Sequence, residues 1–315
     1  MRKIKSGKIV VEDGKLCSDI SGNPLERKAP LSENAVTISF YGTRGSIPSP
    51  GKETVRYGGN TACTVITRKN NLVILDSGSG IRKLGAELAQ QMQKFNYKGI
   101  MFISHVHWDH IQGFPFFVPF YDAKNKFIVC GPKSVHYTLE TVLKVQMQPP
   151  HFPVKLSDLP AKIDFRELQT KTYKFDGITV KPAMAQHPQT ATFTYRISLN
   201  GFSIVYATDT EHYKNEMDTE ILKQARGADI LIYDSQYTPE EYSSRTGWGH
   251  STWLEGTKIA KAAGVKMLVL YHHDPSSTDE KIKAIEDNAK KIFPSTIAAK
   301  EGMKIHLLEE EMMKI

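Results

Sequence analysis

The run His105-Val-His107-Trp-Asp109-His110 places three imidazoles and a carboxylate within six residues, directly after the apolar stretch Gly99-Ile-Met-Phe-Ile103. These groups pack poorly but make a good polydentate metal site. At the end of an extended strand, residues two apart point the same way, so His105 and His107 can share one ion. Asp109 and His110 follow as the chain turns and aim at a neighbouring point. One segment therefore reaches two adjacent ions. Imidazole nitrogen and carboxylate oxygen suit Zn²⁺ best, with Mn²⁺ and Fe²⁺ as competitors. The alternative is a solvated His-rich loop, and the strand in front of the cluster argues against it.

The surrounding pattern is that of an α/β layered fold. From Val36, β-rich runs at Val36–Tyr41, Cys63–Thr67, Leu72–Leu75 and Gly99–Ile103 read as strands. Phe127–Cys130, Ile178–Lys181, Thr192–Ile197, Ser203–Ala207, Ile230–Tyr233 and Met267–Tyr271 continue the series. Amphipathic helical patterns fall at Ile81–Met92, Val135–Val145, Asn215–Ala225, Trp253–Ala263 and Asp279–Ile292. Alternation of this kind predicts a sheet covered on both faces. Residues 1–35 are polar, with a turn at Asp13-Gly14 and breaks at Pro24 and Pro30. They read as an N-terminal extension, with a hairpin as one form, ahead of a main domain over 36–315.

Composition narrows the class. The chain of 315 residues is 40% hydrophobic and holds no apolar run near the roughly 20 residues needed to cross a bilayer. Met1-Arg-Lys-Ile-Lys5 is basic but no apolar signal core follows it, which predicts a cytoplasmic protein. Cys17, Cys63 and Cys130 are too widely spaced for a disulfide framework or a Cys-based zinc site. The net charge of +7 is spread along the chain and favours anionic partners only in a general way.

Two ions need roughly seven ligands, so further donors are required. The candidates sit where strands end. His187 precedes Pro188 in an extended loop. Asp209 follows Ser203-Ile-Val-Tyr-Ala207, a costly place for an unpaired carboxylate, and its two oxygens can serve two cations. His272 follows Met267-Leu-Val-Leu-Tyr271, while His273 beside it faces the other way in an extended chain. Singly each is ambiguous; together they complete two sets. The assignment is His105, His107, His187 and Asp209 for one ion, and Asp109, His110, His272 and Asp209 for the other. His136, on an expected helix, His212 and His306 are read as non-ligands.

His250 lies in Gly247-Trp-Gly-His-Ser-Thr252, ahead of a helix that Ser251 or Thr252 can cap. Asp234 ends the strand Leu231-Ile-Tyr-Asp234. A carboxylate oriented on a histidine makes a proton donor of raised pKa, suited to an alkoxide leaving group. A capping or packing role for His250, and a structural role for Asp234, stay open. Gln148-Pro-Pro-His-Phe-Pro-Val154 is stiffened by three prolines and presents His151 and Phe152 outward, either as a rigid linker or as a loop over a pocket.

These residues resemble the metallo-β-lactamase superfamily, an αββα sandwich, and within it the phosphodiesterase branch of ribonuclease Z and the phosphoribosyl cyclic phosphodiesterases. The likeness covers about residues 36–310: Leu75-Asp76-Ser-Gly78, the H-x-H-x-D-H run, His187, Asp209 and His272 fall in the expected order. It implies that Asp76 is a buried support for the metal loop rather than a ligand. Gly249-His-Ser-Thr252 and Leu270-Tyr-His272 resemble that branch's ending, which implies a general-acid role for His250. Asp234 falls where ribonuclease Z has the glutamate that orients this histidine. The phrases Tyr41-Gly-Thr-Arg-Gly-Ser-Ile-Pro48, Arg56-Tyr-Gly-Gly-Asn-Thr61 and Ala207-Thr-Asp-Thr210 look like the cyclic nucleotide phosphodiesterases that include phage anti-Pycsar enzymes. That likeness implies a homodimer hydrolysing 3′,5′-cyclic nucleotides to 5′-monophosphates, with the loop around His151 and Phe152 as a contact to a neighbouring protomer's site.

Ribonuclease Z carries a long tRNA-gripping insertion between the third histidine and the bridging aspartate. Here His187 and Asp209 are only 22 positions apart, which favours a small substrate over a stable nucleic-acid complex. Two cations about 3.5–4 Å apart would activate water and clamp phosphate oxygens. Asp109 would take the nucleophile's proton. Phe152 or Tyr237 would stack on the base, with core packing an equal competitor. Two other readings stand beside the cyclic nucleotide enzyme. One is a phosphodiesterase for phosphoribosyl cyclic phosphate or an RNA 3′ end, and the other is a non-catalytic cyclic nucleotide-binding protein.

Overall fold

The computed structural model describes residues 7–13, 16–19, 34–214 and 216–309. Gly14, Pro24 and Pro30 of the expected N-terminal breaks, Met1–Lys5 and Asn215 lie outside the described residues, as does the side chain of Cys17.

Two mixed sheets face each other. The first holds β1 (Gly7–Asp13), β2 (Leu16–Asp19), β3 (Val36–Gly42), β4 (Cys63–Arg68), β5 (Asn71–Leu75), β6 (Lys98–Phe102), β7 (Lys126–Pro132) and β8 (Lys162–Leu168). The second holds β9 (Tyr173–Phe175), β10 (Ile178–Met184), β11 (Phe193–Leu199), β12 (Phe202–Ala207), β13 (Ile230–Asp234), β14 (Met267–Tyr271) and β15 (Thr296–Ala298). β16 (Lys304–Glu309) returns to the first sheet between β1 and β3. The strand orders are β2-β1-β16-β3-β4-β5-β6-β7-β8 and β15-β14-β13-β12-β11-β10-β9. Gly7–Asp13 and Leu16–Asp19 therefore extend the first sheet, β2 pairing antiparallel with β1 and β1 with β16.

Period-two alternation builds the layers. In β13, Ile230 and Ile232 face the core between the sheets, while Leu231 and Tyr233 face helices. In β14, Met267, Val269 and Tyr271 point inward and Leu268 and Leu270 outward. In the first sheet, Ile100 and Phe102 join the central core and Met101 and Ile103 the outer one. Strands apolar on both faces must be covered on both. Helices α1 (Ile81–Ala89), α2 (Trp108–Ile111) and α3 (Leu139–Gln146) lie beyond the first sheet. Ile221, Ile259, Ile282 and Ile285, from α4 (Thr219–Ala225), α6 (Trp253–Ala263) and α7 (Asp279–Ile292), cover the second, and the short α5 (Pro239–Tyr242) precedes α6. The result is an αββα sandwich. No helix among the described residues is long and apolar enough to cross a membrane.

Three helices are shorter than their patterns predict, two of them for reasons of capping. Asp218 Oδ1 accepts from the amides of Glu220 and Ile221, so α4 starts at Thr219 rather than near 215. Thr138 caps α3 in the same way, which leaves Val135 and His136 in the preceding loop rather than on a helix. α1 gives way to turns after Ala89 instead of reaching Met92. The pattern reading missed β8, although Ile163 and Phe165 alternate there with Lys162, Asp164 and Arg166 as in a half-exposed strand. It also missed β9 and β15, at three residues each.

β5 to β8 run parallel, as do β12 to β15, and the carboxyl ends of parallel strands are where such sheets carry their sites. Asp76 follows β5, His105 lies beyond β6, Asp209 beyond β12, Asp234 ends β13 and His272 follows β14. Three of these turn out of their strands through the left-handed region: Asp76 (φ 60°), Asp209 (φ 51°) and His272 (φ 60°). Non-glycine residues held there are uncommon and cluster at functional positions.

Candidate metal centre

At this rim, donor atoms of His105, His107 and His187 lie within 4.8 Å of one another, and so do those of Asp109, His110, Asp209 and His272. Asp209 spans the two groups. Its Oδ2 is 3.2 Å from His110 Nε2 and 3.3 Å from His272 Nε2, while Oδ1 is 3.7 Å from His105 Nε2. Asp109 Oδ2 lies 3.2 Å from both His110 Nε2 and His272 Nε2. Thus the structure brings together all seven side chains that the sequence singles out as ligands. His273 turns away and its Nε2 meets the Ala299 carbonyl at 2.9 Å. His212 bonds Ser251 and His306 bonds Thr37, both outside this group.

Each inward nitrogen is made available by a partner on the ring's other nitrogen. His110 Nδ1 donates to Asp76 Oδ2 (2.8 Å), His272 Nδ1 to Gln236 Oε1 (2.9 Å) and His187 Nδ1 to the Gly249 carbonyl (3.0 Å). His105 Nδ1 meets Ser104 Oγ at 3.1 Å, and His107 Nε2 meets Thr190 Oγ1 at 3.3 Å. In the first group the facing nitrogens, His187 Nε2 and His107 Nδ1, stand 3.2 Å apart. His105 Nε2 is buried and has no hydrogen-bond partner. An orphaned imidazole nitrogen beside converging lone pairs and carboxylates is what a cation would satisfy.

Electrostatics agree with that reading. Burial and the neighbouring imidazoles push His105, His107 and His187 below the ordinary histidine value, which keeps them neutral. Burial opposes charge on Asp109 and Asp209, but His110 and His272 hold both well below the usual carboxylate range. Burial likewise pulls His110 down, yet Asp209, Asp109 and Asp76 hold it well above the ordinary value. A cation at this point would take over the charge of that proton.

His250 stands beside the second group. Its Nδ1 lies 2.9 Å from Asp234 Oδ2, and burial notwithstanding, Asp234 pushes its pKa up to about 9. Asp234 also accepts from the amides of Asp209, Gln236 and Ser251. Thr252, not Ser251, caps α6 through Glu255 N. Together Ser46, His107, Trp108, Asp109, Asp209 and His250 line a cleft of about 440 Å³.

Several contributors escape a residue-type reading. The Ser46 amide donates to Asp109 Oδ2 at 2.7 Å. Arg44 is fully buried and donates to the carbonyls of Gly58, Asp274 and Ser277, fixing the 42–48 turn against the segment after β14. Gly45 packs so closely there that a Cβ would sit 2.4 Å from the His272 ring.

Two expectations need correction. Tyr237 is 1% exposed, with Arg245 over its ring at 4.8 Å and Gln236 donating to its hydroxyl, so it has no face for a base. Phe152 is half-buried rather than presented outward, its ring edge-on to Phe116 at 5.5 Å and packed on the outer core. His151 remains exposed. Both His151 and Phe152 line a second cavity of about 710 Å³, which shares Val106 and Trp108 with the cleft.

The family described as a beta-lactamase superfamily domain matches residues 71–273. The chain belongs to the β-lactamase superfamily. The ribonuclease Z of Ignicoccus hospitalis is 23% identical over 276 residues, covering 75% of this chain and 89% of that one. The metallo-β-lactamase fold protein YhfI from Bacillus subtilis superposes with a TM-score of 0.66 at 19% identity, covering 87% of this chain and 99% of that chain. A diphosphatase of the PhnP family gives 0.61 at 18% identity, covering 88% and 98%. These superpositions show a shared fold, and the metallo-β-lactamase fold implies divalent metal ions.

In this superfamily member Asp76 is the buried hub of the rim. It accepts from Ser104 N (2.7 Å), Ser104 Oγ (2.9 Å), His110 Nδ1 (2.8 Å) and Tyr206 OH (2.8 Å). Asp76→Asn is expected to weaken divalent-metal affinity about 10- to 100-fold by releasing the His110 ring. Isothermal titration of the metal-free protein checks this, and wild-type affinity would remove Asp76 from its supporting role.

Proposed function

We propose that this chain is a cytoplasmic dinuclear-metal phosphodiesterase that hydrolyses 3′,5′-cyclic nucleotides to nucleoside 5′-monophosphates, as anti-Pycsar enzymes do. The observation that carries the reading is His250 held at 2.9 Å by Asp234, directly beside two converging donor groups in one small cleft. Two divalent cations, Zn²⁺ or Mn²⁺, held by His105, His107, His187 and Asp209 and by Asp109, His110, His272 and Asp209, would supply the charge that activates water and neutralises phosphate oxygens. With Nδ1 engaged by Asp234, His250 offers Nε2–H to the departing 3′ oxygen as the bond to phosphorus breaks. Asp109, fixed by the Ser46 amide, takes the proton of the attacking water.

The apolar cavity beside the cleft supports a base subsite between Trp108, Phe116 and Phe152, with His151 at its edge. Trp108 is 82% exposed, and Phe116 and Val145 are half exposed. A second protomer covering that rim, with the 148–154 loop as its contact, accounts for so much bare apolar surface. Between His187 and Asp209 only the hairpin of β11 and β12 intervenes, which favours a small substrate.

A second reading, action on an RNA 3′ end, is favoured by the relatives named ribonuclease Z. One panel separates the two: the Mn²⁺- or Zn²⁺-loaded protein with cyclic nucleotides, phosphoribosyl cyclic phosphate and precursor tRNA, products resolved by chromatography. Nucleoside 5′-monophosphates are expected. Cleavage of precursor tRNA with cyclic nucleotides left intact would reverse the order of the readings.

A further inference from the structure

We propose that Glu211 is a positioning residue for His250, acting through the backbone of the loop that carries it. The inference rests on His250 as proton donor. Gly247 (φ 87°) and Gly249 (φ 84°) flank Trp248 in conformations that glycine adopts without cost, so the loop has little preference of its own for one shape. The Trp248 side chain between them is 62% exposed. Besides the His187 ring on the Gly249 carbonyl and the Trp248 amide on the Arg245 carbonyl, a carboxylate from another part of the fold holds the loop. Glu211 is buried; its Oε1 accepts from Gly247 N (2.6 Å) and Tyr242 OH (2.8 Å), and its Oε2 from Gly249 N (2.9 Å).

The consequences converge on His250. On its N-terminal side the Gly249 amide is bound by Glu211; on its C-terminal side the Ser251 amide donates to Asp234 Oδ1 at 3.1 Å. Two buried carboxylates therefore grip the backbone on either side of the histidine, and Asp234 also fixes its ring. Glu211 is itself placed by its own amide, which donates to the Gln186 carbonyl at 2.7 Å. The segments carrying His187, Asp209 and His250 thus meet at one residue, the first through its backbone amide and the last through its carboxylate. No other described side chain accepts from both glycine amides.

Glu211→Gln tests this, because the amide NH₂ would face the Gly249 N–H, donor against donor. Tyr242→Phe is a milder second variant that keeps the carboxylate and removes one of its three donors. In the metal-free protein, hydrogen exchange at the Gly247 and Gly249 amides is expected to speed up about 10-fold or more in Glu211→Gln, and less in Tyr242→Phe. In the metal-loaded protein two phosphodiesters are compared: 3′,5′-cyclic AMP, whose alkoxide must be protonated as it leaves, and bis(p-nitrophenyl) phosphate, whose phenolate leaves unprotonated. The loss in kcat is expected to be at least about 10-fold larger for the cyclic nucleotide, as for His250→Ala.

Unchanged exchange at both glycines overturns the proposal, as does an equal loss on both esters, which would mark Glu211 as merely structural. If the wild-type protein cleaves the aryl ester but no cyclic nucleotide, the substrate reading fails, while the exchange rates still decide the clamp.

Discussion

Asp209→Ala is expected to bind at most one divalent ion per chain and to lose phosphodiester hydrolysis altogether. The side chain stands between both donor groups: Oδ2 faces His110 and His272, and Oδ1 faces His105. Outer partners of ligands cost about 10- to 100-fold in metal affinity when removed, and a carboxylate shared by two ions should cost more. Alanine at φ 51° also strains the turn, which asparagine tolerates better. Asp209→Asn therefore separates lost charge from lost shape. Elemental analysis after dialysis reads the outcome for both variants. Two ions retained in Asp209→Ala would mean that the carboxylate bridges nothing, and the dinuclear assignment would fall.

The α/β layering was legible in the sequence because its strands are apolar on both faces and end in polar residues at one rim, whereas the two-sheet sandwich followed only from the family resemblance. His105, Asp209, Asp234 and His272 each follow or close such a strand, so their meeting place can be read from strand ends alone. The choice of His272 over His273 assumes an extended chain; His273 does face the Ala299 carbonyl, but His272 leaves the strand at φ 60°, so a turn rather than strand alternation parts the two rings. What could not be read is whatever acts through the backbone or across distant segments. The Ser46 amide on Asp109 leaves no residue-type signature. Gln236 and Thr190 are ordinary polar residues until the fold sets them against His272 and His107. Glu211 looks like a surface acid beside Thr210, yet it is buried under three donors. For Tyr237 the sequence left base stacking and core packing equal, and the fold decides for packing because Arg245, eight residues on, closes over the ring.

His250→Ala is expected to keep both metal ions and to lower kcat for a cyclic nucleotide by about 10²- to 10⁴-fold, the range a positioned general acid supplies. That is roughly 3–5 kcal/mol of transition-state stabilisation. The ring is absent from both proposed ligand sets, and its Nδ1 is committed to Asp234 at 2.9 Å, which argues for retained metal. The pH dependence carries a sign. An acid must be protonated, so its contribution is present below its pKa and lost above it. Burial lowers that pKa, and Asp234, Asp209 and Asp109 raise it to about 9. Bound cations nearby push it back down, so the alkaline limb of the wild-type kcat profile should fall at or below that value. In His250→Ala the limb should vanish rather than move, and the residual rate should climb with pH as the water ionises. A variant that keeps the limb while losing rate would place the titrating acid elsewhere, with Asp234 left as a purely structural carboxylate.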